Sequence, residues 1–121
     1  MSKTARGDIW TVNLEPTIGA EITKTRPAVI LNMPQVGRLP LVIVVPITEW
    51  NPVFDEYVWF IRLLPTAENG LTKASAADAF QVKSISELRL VRRMGQMAST
   101  DLDAITAAVA LCIGYRHPVI R

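Results

Sequence analysis

Leu41-Val42-Ile43-Val44-Val45 is the stretch on which the fold turns. Every position is apolar and most are β-branched. A strand with one wet face alternates apolar and polar residues. An unbroken apolar run therefore belongs to a strand buried on both faces, and β-branching favours strand over helix. Pro46 is expected to end it, because proline cannot donate to a ladder. A buried central strand needs partners on both sides. Upstream, Arg26-Pro27-Ala28-Val29-Ile30-Leu31 reads as one, with Pro27 acceptable near a strand start. Asp8 to Leu14, opened by the turn residue Gly7, reads as another. Downstream, Ile47 to Pro52 reads as irregular, and Glu56 to Ile61 as a fourth strand. Ala74 to Lys83 reads as a fifth, Ser84 to Leu88 as a short helical turn, and Leu90 to Met94, closed by Gly95, as the last strand.

The connections carry the turn chemistry. Residues 15–25 form a polar loop opened by Pro16 and Gly19, and at about eleven residues it is of a length often given to function. Residues 32–40 hold Pro34, Gly37 and Pro40, and Pro65 to Lys73 contains the turn dipeptide Asn69-Gly70. One segment has helical period. Leu102, Ile105, Val109, Cys112 and Ile113 form an apolar stripe, with Ser99 or Thr100 as cap, Asp101 and Asp103 in the first turn and Gly114 as the stop. The expected architecture is mainly β: a small, curved antiparallel sheet or barrel of five to seven strands with one C-terminal amphipathic α-helix.

The chain has 121 residues, half of them hydrophobic, which suits one domain over residues 6–114 with a tail at 115–121. The lone Cys112 cannot form an internal disulfide, so a reducing cytoplasm is the expected location. No secretory signal is visible after Met1 to Gly7, and no apolar run is long enough to span a membrane. The net charge of +2 announces no nucleic-acid binder by itself. Lys24, Arg26, Lys83, Arg89, Arg92 and Arg93 could nevertheless form a local basic surface.

Elimination narrows the chemistry. The single histidine, His117, lies in the tail, which rules out a paired-imidazole site and weighs against a Ser-His-Asp triad. One Cys and one His do not make a usual zinc site, and no carboxylate cluster suggests magnesium. The glycines are isolated and form no phosphate-cradling loop. Catalysis, if present, falls to Arg, Lys, Glu, Asp, Ser or Thr without metal or cofactor. Three segments carry suitable groups: Gly19 to Pro27, where Arg26 enters a strand from a polar loop; Pro46 to Asn51, where Thr48 leaves the central strand; and Gln81-Val82-Lys83-Ser84. Arginine's planar fork matches a phosphate and stays charged. Taken singly, each has a plainer reading: an Arg26 ion pair with Glu21 or Asp8, an ordinary turn at Thr48, and an edge strand at Gln81.

Taken together, the segments resemble the MazF/PemK family of toxin endoribonucleases from bacterial toxin–antitoxin pairs. The resemblance runs from Arg6-Gly7-Asp8-Ile9-Trp10 and Asn13-Leu14-Glu15-Pro16-Thr17, through Gly19-x-Glu21 and Thr25-Arg26-Pro27-Ala28-Val29-Ile30-Leu31, to Val45-Pro46-Ile47-Thr48, Gln81-Val82-Lys83-Ser84-Ile85 and the 99–114 helix. Ile22 stands where the family usually has Gln, and Phe80 where a carboxylate often precedes the signature Gln. The resemblance implies a homodimer of SH3-like curved β-barrels and metal-independent, cofactor-free cutting of single-stranded RNA. It implies 2′-hydroxyl attack to leave a 2′,3′-cyclic phosphate and a 5′-hydroxyl. Arg26 and Thr48 would be catalytic and Glu21 functionally important; by nearness in the sequence Glu21 is the candidate base, the alternative being that it only orients Arg26. Lys24, Thr25, Glu49, Trp50, Asn51, Gln81, Lys83 and Ser84 would contact RNA, with Trp50 as a stacking platform. The implied partner is a cognate antitoxin with an acidic tail. The competing reading is a toxin of the same fold that binds a protein target, as gyrase-poisoning toxins do, or an inactive homologue that binds antitoxin without cutting RNA.

Overall fold

The computed structural model describes residues 4–15, 18–19, 25–34, 36 and 40–115. Its elements, in chain order, are β1 (Asp8–Asn13), β2 (Thr25–Ile30), β3 (Leu41–Glu49), β4 (Phe60–Leu63), β5 (Ser75–Asp78), β6 (Lys83–Ser86), β7 (Leu90–Gln96) and α1 (Ser99–Cys112). The seven strands form one antiparallel sheet in the order β4-β5-β3-β2-β1-β7, with β6 also on β3. The sheet does not close into a barrel. The Leu41–Val45 run is indeed central, for β3 is the one strand with three partners.

Strand alternation sorts the core into two. Ile9, Val29, Val45, Ile47, Leu63 and Ala77 face the helix and enclose Ile105. Trp10, Val12, Ala28, Ile30, Val42 and Val44 gather with Ile85 and Leu90 in a second cluster. Each fully buried branched side chain contributes about 1.5–3 kcal/mol of hydrophobic stabilisation. Arg6 ties helix to sheet: its guanidinium donates to Thr106 Oγ1 at 3.0 Å and to the Leu31 carbonyl.

Pro46 does not end β3, which runs on to Glu49. The reason lies in the neighbouring edges. Ile43 accepts from Leu31 on the β2 side, whereas Trp50 donates to Ala74 on the β5 side, so even positions of β3 bond toward β5 and β6. The β6 ladder stops at Val44 and the β5 ladder starts at Ile47. Pro46's missing donor therefore faces the gap between two ladders, where no acceptor waits.

The expected strand at 56–61 is displaced. Asn51 Oδ1 accepts from Val53 N (3.1 Å) and Pro52 follows it, so Pro52–Glu56 forms a 3-10 turn and β4 begins only at Phe60. The expected single strand at 74–83 is split. Asp78 caps a 3-10 turn at Ala79–Gln81, which steps the chain from β5 to β6 along the same edge of β3. Ser84 to Ser86 are strand rather than helical turn, and only Glu87–Arg89 form a 3-10 turn, capped by Ser86. The helix starts without a hydroxyl cap, because backbone bonds from Gln96 to Glu68 and from Met97 to Gly7 tie the chain just before it and Ala98 takes the N-cap position. Asp101 is in the first turn and Asp103 falls in the second. Within the stripe, Ile105 is buried and Leu102 and Val109 pack on the core, with Ala108 buried beside them, but Ile113 is 72% exposed. Gly114 ends the helix with a left-handed φ. No helix of the described residues is long and apolar enough to cross a membrane.

Candidate functional site

The change of partner at Pro46 opens the site. β2 pairs with β3 only from Ala28↔Pro46 to Ile30↔Val44, while Ile47 to Glu49 pair with β5. The start of β2, Thr25 to Pro27, stays with β1. The two strands part, and a cleft of about 270 Å³ lies between them. Thr25, Arg26 and Pro27 form one wall and Ile47, Thr48 and Glu49 the other. Leu71, Thr72, Lys73, Ser75 and Met94 complete it. Arg26 Nη1 is 3.5 Å from Thr48 Oγ1 across the cleft. Both side chains are half-buried and line the cleft.

Arg26 is not paired with Asp8. Asp8 accepts from Arg93 at 3.3 Å and sits at the other end of the β1–β2 ladder, beyond Ile9↔Val29. Glu49 forms an exposed pair with Lys73 at 3.3 Å, which places at the cleft mouth a cation that no sequence pattern singles out. Trp50 follows Thr48 by two residues. Its ring stands edge-on to Phe54 at 5.8 Å, and the Arg62 guanidinium lies 4.9 Å from its centroid. One face of the expected stacking platform is thus occupied. Asn51 spends its side-chain oxygen on the cap of the following turn.

Gln81, Lys83 and Ser84 do not line this cleft. Lys83 is opposite Val44 on β3, four residues from Thr48, or about 13 Å along the strand. With Ser84, Ile85, Ser86, Leu14 and Arg89 it borders a second depression of about 380 Å³. Arg89 donates to the carbonyls of Asn13 and Glu15 there. Gln81 Nε2 donates to Asp78 Oδ2 at 2.9 Å, and Phe80 N donates to Asp78 Oδ1 at 3.2 Å. The carboxylate that supports Gln81 therefore comes from Asp78, three residues before it. Asp78 is buried, and burial pushes its carboxyl above the usual value although the Gln81 and backbone hydrogen bonds pull the other way. The Asp-x-x-Gln spacing is a capping signature that could have identified it. Phe80 itself is 67% exposed against Trp59. Glu21, Lys24 and His117 lie outside the described residues. Among the described residues, no three of His, Cys, Asp and Glu gather into a metal-holding group.

The cleft can hold a phosphodiester. It offers a permanently charged fork and a neutral hydroxyl at one point, with Lys73 near the mouth. Comparison with known proteins agrees on the family. Residues 5–113 match the model of the PemK-like, MazF-like toxins of type II toxin–antitoxin systems. The chain is 32% identical over 113 residues to endoribonuclease MazF9 of Mycobacterium tuberculosis, covering 88% of this chain and 92% of that one. Its fold resembles the crystal structure of MazF from Deinococcus radiodurans, at a TM-score of 0.76, 19% identity and coverage of 93% and 97%. It also resembles a mycobacterial endoribonuclease solved in complex with its cognate antitoxin, at a TM-score of 0.72, 16% identity and coverage of 95% and 99%.

Proposed function

The chain belongs to the PemK-like, MazF-like toxin family of type II toxin–antitoxin systems, and on that premise we propose that it cuts single-stranded RNA at the Arg26–Thr48 cleft without a metal. The observation that carries the reading is the meeting of Arg26 Nη1 and Thr48 Oγ1, 3.5 Å apart, at the mouth of a cleft between parting strands. The naming of the curated relative as an endoribonuclease supports it.

In the proposed reaction, the RNA 2′-oxygen attacks the adjacent phosphorus. A 2′-O–P bond forms as the bond to the 5′-oxygen breaks, leaving a 2′,3′-cyclic phosphate and a 5′-hydroxyl. Negative charge grows on the non-bridging phosphoryl oxygens. Arg26 stabilises that charge through charge-assisted hydrogen bonds, and Thr48 donates a neutral one to the same oxygens. Arginine holds its proton at any working pH, so Arg26 is not the base. Glu21 takes the 2′-hydroxyl proton in this scheme, and the leaving 5′-oxygen receives one from solvent or from the protonated carboxyl. Thr25, Glu49 and Lys73 border the path of the strand, Trp50 and Asn51 carry it past the end of β3, Gln81, Lys83 and Ser84 carry it beside β3 in the other direction, and Lys24 is a further RNA contact.

The working unit is a homodimer. Its partner is a cognate antitoxin whose acidic tail neutralises the Arg26 surface, and the antitoxin complex of a structural relative supports that assignment. The test is to incubate purified protein with long RNA and a chelator and to map the cut ends. Cyclic phosphate and 5′-hydroxyl termini, lost in Arg26→Ala, are the expected result. A 3′-hydroxyl with a 5′-phosphate would overturn the mechanism, and intact RNA would favour a toxin that acts on a protein target.

A further inference from the structure

Arg62 is an exposed residue of β4, in register with Ala76 of β5, and Ala76 is in register with Thr48 of β3. Residues in register across a sheet project to the same face. Arg62 and Thr48 therefore stand on one face, about 10 Å apart at Cα, as two inter-strand steps require. Ala76, which stands between them in the register, is fully buried. Trp50 belongs to the same face, two residues beyond Thr48, and its backbone N–H donates to Ala74, so the ladder persists to that point.

The guanidinium of Arg62 lies 4.9 Å from the Trp50 ring centroid. Among the described residues it forms no ion pair, and the carboxylate next to Thr48, Glu49, is held by Lys73. A cation resting on an indole face is held by the ring's quadrupole and keeps its N–H donors unspent. Those donors are a fork of the shape that binds phosphate.

We propose that Arg62 is a second phosphate-binding residue of the cleft, holding the RNA backbone beside the phosphate bound at Arg26 and Thr48, and that Trp50 is its positioning residue. This rests on the reading of the cleft as an RNA-cutting site. Arg62 binds substrate and transition state alike, because the phosphate it holds does not change charge. Its loss weakens binding and leaves the chemical step intact.

The test uses single-stranded oligoribonucleotides carrying the mapped cut sequence, with a 2′-deoxy residue at the cut position to prevent cleavage. A mixed-sequence pool replaces them if the wild type cuts nothing. Affinity is followed by fluorescence anisotropy across a range of salt. Arg62→Ala is expected to bind about 10-fold more weakly at fixed salt, and its log–log salt slope is expected to shrink by about 0.7. Arg62→Lys keeps most of the slope. In turnover, Arg62→Ala raises KM and spares kcat, whereas Arg26→Ala lowers kcat. Trp50→Leu weakens binding less than Arg62→Ala does, and it shrinks the salt slope only while Arg62 is present. A wild-type salt slope in Arg62→Ala would overturn the proposal, and so would weaker binding without a change of slope, which would assign Arg62 to base stacking. If the wild type leaves RNA intact, the reading of the reaction fails, and the slope measured on the pool still decides the role of Arg62.

Discussion

Replacing Gly70 by alanine tests how the wall of the cleft is held. Gly70 has φ of +71°, and a Cβ added there would lie 2.4 Å from the Met94 carbonyl oxygen and 3.0 Å from its carbon. Those atoms are backbone of β7 and cannot rotate away. A left-handed conformation costs a non-glycine residue about 1–2 kcal/mol. Forcing packed groups apart costs a further 1–3 kcal/mol or so. Gly70→Ala should therefore destabilise the domain by about 2–5 kcal/mol and lower Tm by on the order of 10 °C or more. Gly114→Ala is the control: its φ is +80°, but nothing lies within 4 Å of the added Cβ. It should show the conformational cost alone, about 1–2 kcal/mol at most. Urea denaturation of the three proteins separates strain from collision. The consequence reaches the site, because Leu71, Thr72 and Lys73 follow directly and line the cleft. At a temperature where Gly70→Ala is still folded, its RNA cutting should fall, and that of Gly114→Ala should not. Equal losses of stability in the two variants would refute the seating of the 65–73 connection against β7.

Thr48→Ala should lower kcat by about 10²–10³, as removal of one preorganised donor does. The double variant with Arg26→Ala should lose less than the product of the single losses, because both donors serve the same oxygens. Quenched-flow cleavage of a defined RNA measures both. Burial raises the Asp78 carboxyl, so the fold holds its proton more tightly than the unfolded chain does. Its stabilising contribution is therefore full below the ordinary carboxylate range and is lost as pH rises through the raised value. Relative to Asp78→Asn, the wild type should lose stability as pH rises from the ordinary carboxylate range through the raised value, and parallel stability curves would contradict this. Arg6→Met should cost about 1–3 kcal/mol by leaving the Leu31 carbonyl and Thr106 without their donor. RNA cutting by the folded fraction should be unchanged, since Arg6 adjoins the end of the sheet away from the cleft, where Gly7 bonds to Ile30.

The helix and the central strand were legible because burial leaves a periodic trace in the chain. An all-apolar run identifies a strand covered on both faces, and residues 3 and 4 apart identify a helix lying on a core. The boundaries were less legible where a side chain competed with the ladder. Asn51 and Asp78 each turn the chain by accepting a nearby backbone N–H, which is why β4 starts late and the 74–83 segment breaks in two. Ile113, placed on the helix stripe by spacing, lies beyond the reach of the sheet and faces solvent.

By itself the sequence determined that Arg26 stands at the start of a strand and that Thr48 follows closely on the central apolar run, because strand starts and apolar runs follow from local patterning, although it ended that strand at Pro46 and so left Thr48 outside it. It also determined which reaction classes lack their residues. Only the tertiary structure decided that these two meet. That outcome depends on β3 exchanging β2 for β5 at Pro46, where one missing hydrogen-bond donor coincides with the gap between two ladders. The same exchange separates Lys83 from the cleft, admits Lys73 to it, and sets Arg62 across Ala76 from Thr48. These are pairings between segments far apart in the chain. Strand register fixes them, and nothing in the local run of residues encodes that register.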